Sequence, residues 1–297
     1  MIDLDALAAL RAVADTGSVI AAATATGYTP SAVSQQVKRL EKQTGVPLLE
    51  RVGRGVMLTS QGRHLVEAGQ RVLADLEALE SDLRASAGQV SGRVRLAVFS
   101  TGVRGLVAPV VRRLRDAHPD LNLVIDEREP WDTVDLVAGG QAEIGIVHRW
   151  GGVPLAVPEH VTSHPVTRDL ADLVVPHDHP LAGRKRVTPH DLVDVEWIAT
   201  PEGTICRQWL HRMYDGTGRP PRIAHVSAEF ESHLALVAAG LGVALIPRLG
   251  RAPLGPEVVA VEVRDPQPVR LIDALHRRSM AADPAIRAVL DALPANR

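Results

Sequence analysis

Five polar side chains fall on one stripe of a short predicted helix: Ser31, Ser34, Gln35, Lys38 and Lys42, at i, i+3, i+4, i+7 and i+11. Hydroxyl, amide and ammonium groups in that pattern have little use in a protein core. They match what a DNA major groove offers, with amides and hydroxyls reading base edges and ammonium groups meeting phosphates. Basic residues continue beyond the stripe. Leu48 to Thr59 reads as two short strands around a Gly53-Arg54-Gly55 turn, a wing that carries Arg51 and Arg54 towards phosphates or a minor groove. From Tyr28 to Arg63 six basic residues stand against two acidic ones, a net of +4 that suits a polyanion.

The elements that must position these groups are legible locally. Val33, Val37 and Leu40 recur at i, i+4 and i+7, so the face opposite the polar stripe packs on preceding helices. Thr29 is placed to cap that helix, and Pro30 fits its first position, where a missing N–H costs nothing. Ahead of it, Ser18 caps a helix over Val19 to Thr26, and Gly27 supplies the left-handed residue that ends it. Gly45 and Pro47 stop the second helix. Two short helices joined by a tight turn form a helix-turn-helix pattern, which makes double-stranded DNA the expected partner.

Leu4 to Gly62 is collinear with a known pattern: a first helix with Leu10, Val13 and Ala14, then DTGSV, the run AVSQQVKRLEKQTGVPLLER and the ending LTSQG. In these motifs the chain resembles the LysR-type transcriptional regulators of bacteria. The resemblance implies a winged helix-turn-helix over residues 1–59, with the helix from Pro30 as recognition helix. The candidate DNA-binding set is then Thr29, Pro30, Ser31, Ser34, Gln35, Lys38, Arg39, Arg51 and Arg54. Many family members carry Gln-Pro where this chain has Pro30-Ser31, so a base contact made by that Gln is missing and operator preference is expected to shift.

From about Gln61 to Ser86 the pattern becomes one long helix, roughly 40 Å at 1.5 Å per residue. Leu65, Val72 and Leu79 repeat every seven residues, with Gly69, Leu76 and Leu83 interleaved, a seam that wants a partner helix. Leu65, Val72, Leu76, Leu79 and Leu83 are the dimerisation candidates. In the resembling family this linker helix, here 60–87, pairs with that of a second subunit. The expected assembly is a homodimer that forms a homotetramer through the effector domains.

SAGQVSG, with residues 88–92, is a hinge by composition. Beyond it, strands at Arg93–Phe99, Asn122–Glu127 and Ile144–His148 alternate with helices at Gly105–Ala117 and Trp131–Ala138, a βαβαβ order that predicts a largely parallel sheet. A second set follows: strands at Asp172–Val175, Glu196–Ala199, Ile223–Val226 and Val243–Ile246, helices at Cys206–Tyr214 and Glu229–Ala239. Two Rossmann-like halves are expected over 93–297, the first comprising about 93–167 and 268–297 and the second about 168–267. That α/β arrangement is similar to periplasmic binding proteins, as the effector domains of LysR-type regulators are.

In such folds ligands bind beyond the carboxyl ends of strands. That rule selects Ser100 and Thr101, His148 with Arg149, and Thr200, Pro201 and Gly203. The resemblance implies a small effector there, and hydroxyls beside helix N-termini favour an anion. Arg104 and Arg207 could add charge, or be surface arginines. His225 and Phe230 lie near the same crossover, Phe230 reading better as core.

Other classes fit less well. Ser100, His148 and Asp126 have the residue types of a hydrolase triad, but no GxSxG elbow accompanies them, so no catalytic residue is assigned. His177-Asp178-His179 reads as a surface turn rather than a metal site, and no nucleotide-cofactor motif is present. Cys206 is the sole cysteine, which excludes an intrachain disulfide switch. A solute-binding protein would share the α/β halves, but the acidic, amphipathic MIDLDALAALRAVADTG does not read as an export signal. With 297 residues, 45% of them hydrophobic, and 33 Lys+Arg against 35 Asp+Glu, the expectation is a cytoplasmic regulator without membrane contact. The expected regulator is capable of both activation and repression, with RNA polymerase a partner in the first case.

Overall fold

Side-chain caps and left-handed residues set the N-terminal helices as their local sequences dictate. The computed structural model describes residues 2–53 and 55–294. Helix α1 (Leu4–Thr16) starts on Asp3, whose carboxylate accepts from the N–H groups of Asp5 and Ala6. Helix α2 (Val19–Thr26) is capped by Ser18 and ends at Gly27, at φ +74°. Helix α3 (Pro30–Thr44) begins on Thr29, whose hydroxyl accepts from Ala32 N–H. Val33, Val37 and Leu40 are fully buried beneath it, in two adjoining clusters with Leu10, Val13 and Ala22 of α1 and α2.

Strands β1 (Leu49–Val52) and β2 (Gly55–Leu58) pair antiparallel as the wing. Arg54, assigned to its tip, lies outside the described residues. The linker helix α4 (Ser60–Ala87) follows directly, capped by Thr59. Gly62 shows why the turn into it demands glycine: a Cβ there would run into the carbonyl oxygen of Leu48. Among the described residues no single helix is long and apolar enough to cross a membrane.

Beyond the hinge the chain forms β3 (Gly92–Val98), α5 (Ser100–Gly102), a π turn over Val103–Val107, α6 (Ala108–Ala117), β4 (Leu121–Glu127), α7 (Pro130–Ala138) and β5 (Ile144–Trp150). Strands β4, β3 and β5 are parallel, as the βαβαβ order requires. The helix expected from Gly105 starts instead at Ser100, because the π turn lets α5 run on into α6. Ser100 and Thr101 therefore sit in a first helical turn and not in a loop. π turns of this kind recur at functional sites.

The largest departure from expectation is β6 (Val161–Pro176), a single strand serving both halves. Residues from Val161 to Leu170 pair with β12 (Val269–Arg277), and those from Ala171 to Pro176 pair with β10 (Ala244–Pro247) and β11 (Val258–Val263). The changeover falls at Leu170 and Ala171, three residues past the expected division at 167/168. The halves are thus joined by a continuous strand rather than a loop, and the sheet is mixed because β12 runs antiparallel to β5 and β6, and β10 and β11 run antiparallel to β6. The second half is completed by β7 (Arg186–Val187), β8 (Glu196–Ala199), α8 (Ile205–Met213), β9 (Arg222–Val226) and α9 (Phe230–Ala238), and the chain returns through α10 (Pro284–Ala292) to the first. Separate buried clusters fill the two halves, one centred on Val98, Ile146 and Ile272, the other on Leu173, Trp197 and Ile205.

Candidate functional site

On α3 the buried apolar row fixes the direction of the polar face. Ser31, Gln35, Lys38 and Lys42 are exposed and Ser34 is half-buried, so the stripe is presented to solvent by a helix locked at both ends. Thr29 and Pro30 are exposed beside it, and the Thr29 and Ser31 hydroxyls lie 3.0 Å apart. Arg51 is exposed on the wing. Two charges of this region are already engaged. Arg39 Nη1 meets Asp3 Oδ2 at 2.9 Å, which ties recognition helix to α1 and leaves less of its charge for DNA. Glu41 turns inward, its Oε1 accepting from Leu48 N–H at 2.9 Å and Leu49 N–H at 3.3 Å, so one of the two local acids is spent on shaping the turn into the wing.

Along α4 the seam divides. Val72, Leu76, Leu79 and Leu83 are exposed, an apolar row without a partner in the single chain. Leu65 differs: it is half-buried and packs on the cluster of Ala6, Leu10, Val37 and Leu40 in its own head. Gly69 likewise faces Leu7 of α1. The first turns of α4 thus belong to the DNA-binding head, and the exposed apolar row begins at Val72, because α1 covers the helix up to that point.

Between the α/β halves the expected residues meet one that sequence reasoning did not select. Thr101 is 2% exposed, and its hydroxyl accepts from Arg270 Nη2 at 2.7 Å. Arg270, itself 1% exposed, donates Nε to Asp169 Oδ2 at 2.7 Å and lies 5.0 Å over the Phe99 ring, while its Nη1 has no partner. His148 packs edge-on to Phe99, with ring centroids 4.7 Å apart. Burial, assisted by the Arg270 charge, holds its imidazole well below the ordinary value, so His148 is neutral, and its Nδ1 is also unpartnered. Ser100 is half-buried. Arg149 leaves this group to pair with Asp273 at 2.6 Å.

On the facing half, the Thr200 hydroxyl lies 2.7 Å from that of Thr204, the N-cap of α8. Pro201 is half-buried and Gly203 exposed at φ +84°, the left-handed turn that brings the chain into α8. Arg207 points inward and donates to the Thr200 carbonyl at 3.3 Å. Burial pushes the Cys206 thiol, on the first turn of α8, up to about 12, with Arg270 and Glu129 both close enough to act on it. Glu129, the N-cap residue of α7, is raised by burial and by Asp132 and Glu127, against the pull of Arg270.

Behind Thr200 and Cys206 a cavity of about 30 Å³ reaches Trp150, Phe230 and His233. Phe230 forms part of its wall and of a core cluster with Val174 and Ile246. Trp150 Nε1 and His233 Nδ1 are both buried there without partners, and room for one water-sized molecule is what such a pair requires. The triad residue types do not assemble. Asp126 is on the outer strand β4, paired with Arg128 at 2.9 Å and separated from the strand of His148 by β3. His179 Nδ1 accepts from Leu181 N–H at 3.2 Å, a turn interaction.

Sequence reasoning missed Arg270, Asp169 and Glu129. The available signal was a charged residue inside an apolar strand, since in PVRLIDAL Arg270 alternates with Ile272 and Ala274 on one face.

Comparison with known proteins places both parts of the chain. Residues 4–63 match the family described as bacterial regulatory helix-turn-helix protein, lysR family, and residues 87–296 match the LysR substrate binding domain. The small neutral protease regulatory protein of Streptomyces coelicolor is 34% identical over 239 residues, 79% of this chain and 70% of that protein. Full-length OxyR from Pseudomonas aeruginosa superposes with a TM-score of 0.73 at 22% identity, covering 98% of this chain and 94% of that one. CbnR in complex with its target DNA gives 0.57 at 21% identity, covering 98% and 99%. A winged helix-turn-helix, a long linker helix and a two-part α/β domain with these sequence matches make the chain a member of the LysR family of transcriptional regulators.

Proposed function

We propose that this regulator reads an interrupted-palindrome operator with Ser31, Ser34, Gln35 and Lys38, and that a small anionic effector binds between its two α/β halves. The exposed polar stripe on α3, held by a buried apolar row and a Thr29 cap, carries the DNA reading. Thr29, Pro30, Arg39, Arg51 and Arg54 supply backbone contacts around it. Two heads are needed for two half-sites, and the exposed row from Val72 to Leu83 supports a homodimer through α4, with a homotetramer built on the effector domains. The working compartment is the cytoplasm, with RNA polymerase the partner at activated promoters.

For the effector, support comes from Arg270, a buried guanidinium whose Nη1 is unused, bonded to Thr101 and sharing the Phe99 ring with His148; Ser100, Thr200, Pro201 and Gly203 complete the proposed effector set. An oxyanion fits that donor better than a neutral ligand does. Binding without covalent chemistry is favoured, because a thiol pushed up to about 12 is protonated at neutral pH and a poor nucleophile.

Footprinting tests the DNA reading. The Gln35→Ala, Lys38→Ala double variant is expected to lose protection of the operator that the wild type protects, and an unchanged footprint would remove the recognition-helix assignment.

A further inference from the structure

Strand β12 carries two buried arginines, one at each end. Arg270 belongs to the cleft described above. Arg277, 6% exposed, lies seven residues on, roughly 23 Å away along an extended strand. Its Nη2 donates to Glu77 Oε1 of the linker helix at 2.7 Å and its Nε to both Glu77 oxygens at 3.0 Å. Its Nη1 donates to the carbonyls of Val137 and Ala142, each at 2.7 Å. Ser279 donates to the same Glu77 carboxylate, and burial of Glu77 is outweighed by these partners, which hold it below its ordinary range.

A second element spans the same two places. The N-cap of helix α7, Glu129, feels the Arg270 charge, and the last turn of that helix holds the other end: the carbonyl of Val137 receives Arg277 and that of Ala138 receives Arg11 of α1. Strand β12 lies inside the sheet, between β5 and β6, and its register with β6 shifts only between Ile272 and Asp273. A sheet-held strand cannot bend freely between its ends, so displacement of Arg270 has few outlets other than that bulge and Arg277.

The lever is long enough to matter. From Glu77 back to Ser60 the linker helix runs about 26 Å, so a swing of about 10° at Glu77 moves the head by about 4–5 Å. That exceeds the rise of roughly 3.4 Å per base pair.

We propose that the Glu77–Arg277 pair is the output end of the effector site: β12 couples the cleft at Arg270 to the direction of the linker helix, and thereby sets the half-site spacing that two heads can read. The inference rests on the reading of the cleft as the effector site. Glu77 and Arg277 are positioning residues and touch neither DNA nor ligand.

The full chain tests this with DNA alone, using an operator selected from random duplexes by the wild-type protein and then altered by inserting one or five base pairs at its centre. Wild type is expected to lose at least about tenfold in affinity with five inserted pairs, since half a turn separates the half-sites' faces. Glu77→Gln and Ser279→Ala are expected to lose less than about threefold on the same series. Wild-type spacing profiles in both variants would overturn the proposal. Hydrogen exchange then tests coupling: Arg270→Lys should speed amide exchange across residues 74–84 at least about tenfold, and unchanged rates there would overturn transmission through β12. Neither result depends on effector binding, so failure of the cleft reading is recognised separately, by calorimetry with candidate anions on wild type and Thr101→Val.

Discussion

Thr101 and Arg270, 169 positions apart, are joined by a hydrogen bond of 2.7 Å in the buried floor between the two α/β halves. The Thr101 hydroxyl is therefore engaged with protein before any ligand arrives. Replacing it affects two properties at once. Thr101→Val is expected to cost about 1–3 kcal/mol of stability, because it strips a partner from a buried charged donor, and also to weaken binding of an anionic effector. Urea melts separate the two effects, with Ser100→Ala as the comparison that leaves Arg270 Nη2 bonded. A melt of Thr101→Val that matches wild type would mean that this contact does not hold the floor together.

Gln35→Ala should lower affinity for the selected operator by about 1–3 kcal/mol and relax preference at one base pair in each half-site. Lys38→Ala should instead reduce the salt dependence of binding as well as affinity. Binding isotherms at several salt concentrations on matched and single-mismatch operators check both. Equal losses on every sequence for Gln35→Ala would assign that residue to backbone contact.

Leu76→Glu with Leu79→Glu puts charge into the exposed row on α4, and the double variant should sediment as a smaller species than wild type and lose cooperative operator binding. Leu65→Ala, by contrast, should lower the stability of the head while leaving assembly intact, since that side chain packs on Leu10 and Leu40. An unaltered oligomer in the double glutamate variant argues against the linker seam.

His148, His233 and His276 are all held below the ordinary imidazole value of 6.5, by burial first in each case. Their neutral folded forms bind fewer protons than the unfolded chain, so their contribution is complete above 6.5 and is lost as pH falls towards the folded values. Thermal midpoints should fall on acidification from about pH 7.5 to about pH 5.5, and His233→Gln should flatten that decline. A midpoint that rises over the same interval contradicts the sign.

Gly62→Ala tests the close approach of α4 to the wing. A Cβ at that position meets the Leu48 carbonyl and the Leu58 side chain, so overpacking should cost about 1–3 kcal/mol. Operator binding should fall with it, because the same turn sets the wing against α3. Wild-type stability in this variant would show that the backbone adjusts freely.

Local rules carried the DNA-binding head. Caps at Ser18 and Thr29, the stop at Gly27, the row Val33, Val37 and Leu40, and the polar stripe opposite are all specified by residues within a few positions of one another. Helix ends and amphipathic faces depend on such neighbours, so α2, α3, the wing and α4 were legible in the sequence. The three parallel strands were readable for the same reason, as short apolar runs between helical patterns. Strand β11 and the first part of β6 were not: VVAVEV is apolar at every position but Glu262 and shows little alternation, and β6 changes partners midway and so has no constant face to display. Only the tertiary structure decided that Leu65 and Gly69 turn towards α1 while Val72 to Leu83 stay free, since which turns of an apolar row are covered depends on what packs against them. The cleft was decided there as well. Arg270 looks like any strand arginine until Asp169, Thr101 and Phe99, contributed by distant segments, close around it, and Arg277 becomes a clamp only because the fold returns β12 to the linker helix at Glu77. Buried charge is tolerated where long-range partners satisfy it, and those partners are set by topology, which spacing along one chain does not encode.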